Sequence, residues 1–256
     1  MSFLFIADLH LGEDTPELAT LFEGFLAHWR GKVEGLYILG DLFEAWIGDD
    51  DDTPFHRRIL AAMRDFSTQT PLFVIHGNRD FLLGSRFAQA SGAVLLPEQV
   101  QHVFYGQPAL LLHGDTLCTD DLAYQRYRRR VRQPWRLWVL RHLPLKWRQR
   151  IAQRLRAASQ TQLVSPQEVP SWMDVNEESV RRAFEQARVR WMIHGHTHRP
   201  ARHDYVVRER VCERWVLPDW RGAVGGYVLW DAVGLSMWSM QMDAGVLTCW
   251  RPSLAG

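Results

Sequence analysis

The stretch WMIHGHTHRP, Trp191 to Pro200, carries three imidazoles, His194, His196 and His198, at alternate positions directly after an apolar run. Imidazole is the side chain most used to bind transition metals. If the run is a strand, residues two apart face the same way, so all three rings leave it on one side. A polar loop that happens to be rich in histidine is the alternative. The same grammar recurs along the chain: Asp8 and His10 in ADLHLG, Asp41 in GDLFEAW, Asn78 in GNRD and His113 in HGD each follow a short apolar run. Alone, each motif is weak, because GD and GN are ordinary turn dipeptides. Together they form an ordered donor set of carboxylate, amide and imidazole without thiolate. Such a set suits Mn²⁺, Fe²⁺ or Zn²⁺ better than a cysteine-rich structural zinc site. The candidates Asp8, His10, Asp41, Asn78, His113, His196 and His198 are too many for one ion. They suffice for two if a carboxylate bridges, and two metals about 3.5–4 Å apart are a device for in-line phosphoryl chemistry.

Such donors need elements to bring them together. SFLFIADL, GLYILGDL and PLFVIHGNRD read as buried strands that end in polar loops. Between the first two, Leu18, Leu21, Phe22, Phe25, Leu26 and Trp29 fall at helical spacing. Before the third, PFHRRILAAMRDF is a helix opened by the cap pair Thr53-Pro54. QHVFYGQPALLLHGD predicts two strands around a tight turn, and YVVRERVCERWVL, GGYVLW and LTCW continue a strand-rich C-terminal part. Alternating strands and helices followed by many strands predict an α/β two-sheet sandwich. The carboxyl ends of strands in such sheets form the ligand crevice, so five strand tips would converge on one site.

The 256-residue length, 46% hydrophobic content and 23% charged content are those of a soluble globular enzyme. Three widely spaced cysteines, Cys118, Cys212 and Cys249, make no disulfide framework and point to a reducing, cytosolic compartment. The N-terminus has no basic region before its apolar run and meets Asp8 too early for a signal peptide, and no run approaches the ~20 apolar residues of a membrane span. The net charge of +1 hides an asymmetry. From Leu122 to Gln167 there is no acidic residue, while arginines accumulate from Arg126 to Arg156. This segment, about 120–170, reads as a helical, basic, Trp-rich cap inserted in an otherwise acidic single domain.

The ordered set D-x-H, GD, GN, HG and GHTH resembles the calcineurin-like metallophosphoesterase superfamily over roughly Phe3 to Arg199. The superfamily usually has a histidine after the GN asparagine; here Arg79 stands there. With that departure, FIADLHLG, LYILGDLFEAWIGDDD, HGDTLCTDD, MDVN and IHGHTHRP resemble the UDP-2,3-diacylglucosamine diphosphatases of lipid A biosynthesis. The resemblance implies hydrolysis of the diphosphate of UDP-2,3-diacylglucosamine to UMP and 2,3-diacylglucosamine 1-phosphate, with metal-activated water attacking the α-phosphorus. It also implies two Mn²⁺ ions, one on Asp8, His10, Asp41 and His198 and one on Asp41, Asn78, His113 and His196, with Asp41 as the bridge. Asp41, Asn78, Arg79 and His113 would be catalytic, with Asn78, Arg79 and His196 also touching substrate. From the cap, Asp121, Tyr124, Arg156 and Ser159 would bind substrate. His194 matches no ligand position. After Ser159 the usual Asn and Lys are missing, and VLPDWRGAVGGY also departs from the common form. The expected location is the cytoplasm, peripheral on an anionic inner-membrane face, with no nucleic-acid partner. A phosphodiesterase acting on nucleotides or nucleic acid is the nearest rival, its basic cap serving as a phosphate track with Trp135, Trp138 and Trp147 as stacking platforms. A non-catalytic scaffold would be expected to lose metal ligands, and all seven are present.

Overall fold

A computed structural model describes residues 2–162, 174–243 and 245–252, with side chains from 155 to 162 outside the described set. The strands are β1 (Phe3–Ile6), β2 (Gly35–Leu39), β3 (Leu72–Ile75), β4 (Val94–Leu95), β5 (Gln99–Phe104), β6 (Gln107–Leu112), β7 (Trp191–His194), β8 (Ala201–Val207), β9 (Arg210–Val216), β10 (Val224–Trp230), β11 (Leu235–Asp243) and β12 (Val246–Trp250). The helices are α1 (Pro16–Trp29), α2 (Pro54–Ser67), α3 (Ser85–Ser91), α4 (Leu122–Val131), α5 (Pro134–His142), α6 (Leu145–Gln162) and α7 (Glu177–Ala187). One sheet runs β12-β11-β10-β1-β2-β3-β4 and the other β5-β6-β7-β9-β8. The two-sheet α/β sandwich expected from the strand pattern is present.

The continuous apolar runs are explained by burial on both faces. In β1 and β2, Leu4, Ile6, Leu36 and Ile38 pack under α1 and α2, while Phe5, Tyr37 and Leu39 face the second sheet. In β6, Ala109 and Leu111 meet the first sheet, and Leu110 and Leu112 meet Val180 and Phe184 of α7. The order is helix, sheet, sheet, helix, and each fully buried large side chain contributes about 1.5–3 kcal/mol. Local signals agree: Thr53 accepts from the His56 N–H at 3.1 Å to cap α2, a contribution of about 1 kcal/mol.

β1, β2 and β3 are mutually parallel, as are β6 and β7. Their carboxyl ends therefore open toward one edge, where the polar loops follow. Helices α4 to α6 fall between β6 and α7. Leu137 and Leu140 of α5 pack against the core under the first sheet, whereas Trp135, Trp138 and Trp147 are 60–62% exposed. The apolar residues of this segment thus divide between an anchoring set and an outward set, a division the sequence did not disclose.

Candidate active site

Five loops at the strand tips carry the seven donors, and the backbone binds these loops to one another. Leu9 N–H and His10 N–H both donate to the Asp41 carbonyl, at 2.9 and 3.0 Å, and Gly195 N–H donates to the His113 carbonyl at 2.8 Å. Carboxylates tie the loops further. Asp8 Oδ2 accepts from the His196 N–H at 2.7 Å and Asp41 Oδ1 from the Arg79 N–H at 2.8 Å. Gly77 and Gly195 make these approaches possible, because a Cβ at Gly77 would strike Asp41 and one at Gly195 would strike Asp8.

Asp8, His10, Asp41, His196 and His198 all adopt positive φ, between 49° and 71°. This left-handed region costs a non-glycine residue roughly 1 kcal/mol or more, although Asp and His tolerate it better than most. His196 and His198 therefore do not continue β7. The expectation that three imidazoles leave one strand face is corrected: the strand ends at His194 and the backbone then aims each ring separately. His194 is buried, with Nδ1 on the Gly195 carbonyl at 2.8 Å and Nε2 beside Arg214 Nη1 at 3.2 Å. Burial first, then the Arg214 charge, lowers its pKa to about 3, so it stays a neutral structural side chain.

The donor atoms converge as two histidine pairs. His10 Nε2 and His198 Nε2 are 3.4 Å apart at one end. At the other, Asn78 Oδ1 lies 2.9 Å from His113 Nε2 and 3.0 Å from His196 Nδ1. Asp41 Oδ2 stands between them, 4.0 Å from His10 Nε2 and 3.7 Å from His113 Nε2. Two sets lie close enough to share an ion: Asp8 with His10 and His198, and Asp8 with Asp41 and His113.

The chemistry of these contacts fits a cation. His113 Nδ1–H donates to the Leu39 carbonyl at 2.8 Å, which leaves Nε2 facing Asn78 Oδ1. Burial opposes a charge on His113, but the charges of Asp41, Asp8 and Asp115 outweigh it and raise its pKa, so this contact too favours a positive charge, on the ring or on an ion beside it. Asp8 Oδ1 is buried with no hydrogen-bond partner, 3.5 Å from His198 Nε2. Burial opposes a charge on His10, but its hydrogen bond to Glu44 and the charges of Asp41 and Asp8 outweigh it and push its pKa up to about 9. The cluster draws positive charge, as protons or as metal.

Around the donors stand residues the sequence reading passed over. Glu44 Oε2 is 3.1 Å from His10 Nδ1, and its other oxygen is 3.5 Å from Arg79 Nη1. Buried Asp80 accepts from Leu42 N–H at 2.8 Å and Gly77 N–H at 2.7 Å, joining the GD and GN loops. Buried Asp115 accepts from Arg128 Nε at 2.6 Å and Tyr124 OH at 2.8 Å. The signal for Asp80 and Asp115 was their place inside GNRD and HGD.

Among the expected substrate residues, Tyr124 presents its ring 6.0 Å from that of His196. Asp121 caps α4 by accepting from the Tyr124 N–H at 2.8 Å. Arg156 and Ser159 lie on α6, and their side chains are outside the described set. Arg132 Nη2 reaches the Gly77 carbonyl at 2.6 Å. Arg148, almost fully buried, binds the Ile47 carbonyl and Asp50 Oδ1, both at 2.7 Å. Two basic residues of the run are thus held in contacts to loops of the first sheet. In MDVN, Asn176 caps α7 by accepting from Ser179 N–H at 3.1 Å, a structural role.

The sequence profile of the calcineurin-like phosphoesterase family matches residues 1–200. The chain is 49% identical over 221 residues to the UDP-2,3-diacylglucosamine hydrolase of Escherichia coli O7:K1, covering 86% of this chain and 91% of that one. It is 50% identical over 223 residues to the enzyme of the same name from Photorhabdus laumondii, with the same coverage. Vacuolar protein sorting 29 from Cryptosporidium parvum superposes with a TM-score of 0.50 at 11% identity, over 98% of this chain and 96% of that one, a likeness of fold. With the donor geometry, a family profile over most of the chain and near-half identity to these relatives, the chain belongs to the calcineurin-like phosphoesterases and, within them, to the UDP-2,3-diacylglucosamine hydrolase family.

Proposed function

We propose that the enzyme hydrolyses the diphosphate of UDP-2,3-diacylglucosamine at the α-phosphorus. The oxygen of water joins that phosphorus, its bond to the bridging oxygen breaks, and UMP and 2,3-diacylglucosamine 1-phosphate leave. The observation that carries this reading is the convergence of seven donors from five strand tips, five in metal-competent groups and Asn78 and His196 beside His113, in a chain whose relatives bear that name. Two divalent ions, Mn²⁺ in this reading, would be held by Asp8, His10, Asp41 and His198 and by Asp41, Asn78, His113 and His196. When bound, such a pair lowers the pKa of water and neutralises charge on the phosphoryl oxygens.

The chain's own groups supply the rest. Asp41, whose Oδ2 lies 4.0 Å from His10 Nε2 and 3.7 Å from His113 Nε2, would help to hold both ions. The bond to the Leu39 carbonyl fixes the ring and tautomer of His113, as outer partners do for metal-binding histidines. Arg79 is anchored by its N–H on Asp41 and gives its guanidinium fork to the diphosphate. Tyr124 and Asp121 place α4 beside His196, where the sugar side of the substrate would lie.

The cap in this reading is α4 to α6; the part of segment 120–170 beyond residue 162 lies outside the described residues. The outward Trp135, Trp138 and Trp147 meet the acyl chains or the lipid surface. The arginines around them attract an anionic membrane, where each basic residue contributes about 1 kcal/mol. No helix among the described residues is long and apolar enough to cross a membrane, so the attachment proposed is peripheral, on the cytoplasmic face of the inner membrane. The test is purified protein, stripped of metal and resupplied with Mn²⁺, given the UDP-lipid. UMP release that requires the ion is expected; no release with Mn²⁺, Mg²⁺ or Zn²⁺ would overturn the assignment.

A further inference from the structure

The two ends of the donor cluster face different surroundings. The His113/His196 end lies under α4, with Tyr124 over His196. The His10/His198 end opens into a cavity of about 340 Å³ that no residue of α4 lines. Its walls include Asp14, Glu44, Asp219 and Arg221, with Leu18 and Trp220 as a short apolar floor. Arg221 is paired with Asp219 through Nε and lies 3.3 Å from His198 Nδ1 through Nη2. Its side chain is 67% exposed.

A wall of three carboxylates and one guanidinium is hostile to acyl chains. It suits a ligand with hydroxyl donors and one anionic group. A carboxylate accepts from the ribose 2′-hydroxyl in dinucleotide-binding folds, and a guanidinium fork matches a phosphate. A substrate with a diphosphate at its centre extends in two directions from the metals. If the acyl-glucosamine arm lies along α4 to α6, the other arm must leave at the His10/His198 end. We propose that this cavity is the nucleoside monophosphate subsite. Asp14 accepts from the ribose 2′- and 3′-hydroxyls, and Arg221 contacts the α-phosphate from outside the metal cluster. The inference rests on the functional reading above, and it assigns roles to two residues which that reading leaves without one.

The test is calorimetric binding of UMP and of 2′,3′-dideoxy-UMP to the Mn²⁺-loaded protein. Wild type is expected to bind UMP about tenfold or more tighter than the dideoxy compound, since two hydrogen bonds to a charged acceptor are lost. In Asp14→Ala that gap closes. In Arg221→Ala both ligands weaken by about tenfold and the gap persists. Metal content, measured by mass spectrometry, must equal wild type in each variant. If Arg221→Ala loses metal, Arg221→Lys is read in its place, with a smaller weakening of both ligands expected. Equal wild-type affinity for the two ligands would overturn the proposal. So would a gap that survives Asp14→Ala, or Arg221 variants that bind like wild type. Turnover of the UDP-lipid by wild type is measured alongside. If it persists while the binding pattern fails, the subsite alone is wrong; if it is absent, the functional reading falls and the subsite with it.

Discussion

Removing the carboxylate of Asp115 should loosen the attachment of α4 to the active-site loops. The Asp115 side chain is only 3% exposed, and it holds Arg128 Nε at 2.6 Å, Tyr124 OH at 2.8 Å and Arg132 Nη2 at 3.8 Å. In Asp115→Ala the Arg128 guanidinium, 12% exposed, loses its buried partner and keeps Glu98, which is 44% exposed and therefore screened. Breaking a buried pair from one side costs about 3–5 kcal/mol, and the remaining Glu98 contact favours the lower end. In a domain of this size each kcal/mol moves the melting midpoint by roughly 2–4 °C, so a fall of about 6–12 °C is expected. The pH dependence gives an independent check. Burial would raise the pKa of Asp115, but the charges of His113, His196, Arg128 and Arg132 hold it well below the usual carboxylate range. A depressed carboxylate contributes stability above its unfolded pKa of about 3.9, and that contribution fades as pH falls toward the folded value. The assay is thermal melting of metal-stripped wild type and Asp115→Ala from pH 7 to pH 3. The gap should be full above about pH 5 and narrow below about pH 4. A gap under 2 °C at pH 7 (about 1 kcal/mol or less), or one that widens on acidification, would refute the reasoning.

Asp41→Ala should abolish turnover and lower the metal content at both positions, because its Oδ2 lies within 4.0 Å of both His10 and His113; two ions and normal turnover by elemental analysis and assay would remove the bridge. His194→Ala should keep both metals, since its ring nitrogens are held by Gly195 and Arg214; loss of one ion with the fold intact would make it a ligand. Arg79→Lys keeps the charge and loses the planar fork, so kcat should fall by about tenfold or more, the effect of removing one to two kcal/mol of transition-state stabilisation; wild-type kinetics would take Arg79 out of the mechanism. Serine at Trp135, Trp138 and Trp147 should release the protein from vesicles containing anionic lipid and leave the melting midpoint nearly unchanged, because all three are mostly exposed; retention equal to wild type would exclude them from the lipid surface.

The strands of the core were legible because burial on both faces makes them continuous apolar runs, as Leu4 to Ile6 and Leu36 to Leu39 illustrate. The donors were legible because each stands just past such a run. The conformation of those donors was not: a period of two in HGHTH imitates a strand, and only the backbone reveals that His196 and His198 turn through positive φ. α7 was missed because its buried stripe rests mainly on Val180 and Phe184 among charged neighbours. β11 was missed because LSMWSMQMD alternates weakly between small, polar and apolar residues. The basic run was read as one electrostatic surface, yet Arg128, Arg132 and Arg148 bind Asp115, Glu98 and Asp50 across 13 to 98 residues of sequence. Pairings at such separation leave no trace in local composition. The cavity beside His10 and His198 was hidden for the same reason, since Asp14 and Arg221 come from opposite ends of the chain.

The most direct measurement of the proposed reaction is hydrolysis of UDP-2,3-diacylglucosamine in H₂¹⁸O by the Mn²⁺-loaded enzyme, with mass spectrometry of both products. Attack at the α-phosphorus gives UMP that carries one ¹⁸O and unlabelled 2,3-diacylglucosamine 1-phosphate. Label in the sugar phosphate would place the attack on the other phosphorus, and UDP as the nucleotide product would mean cleavage outside the diphosphate altogether. Either result would contradict the mechanism proposed for this site.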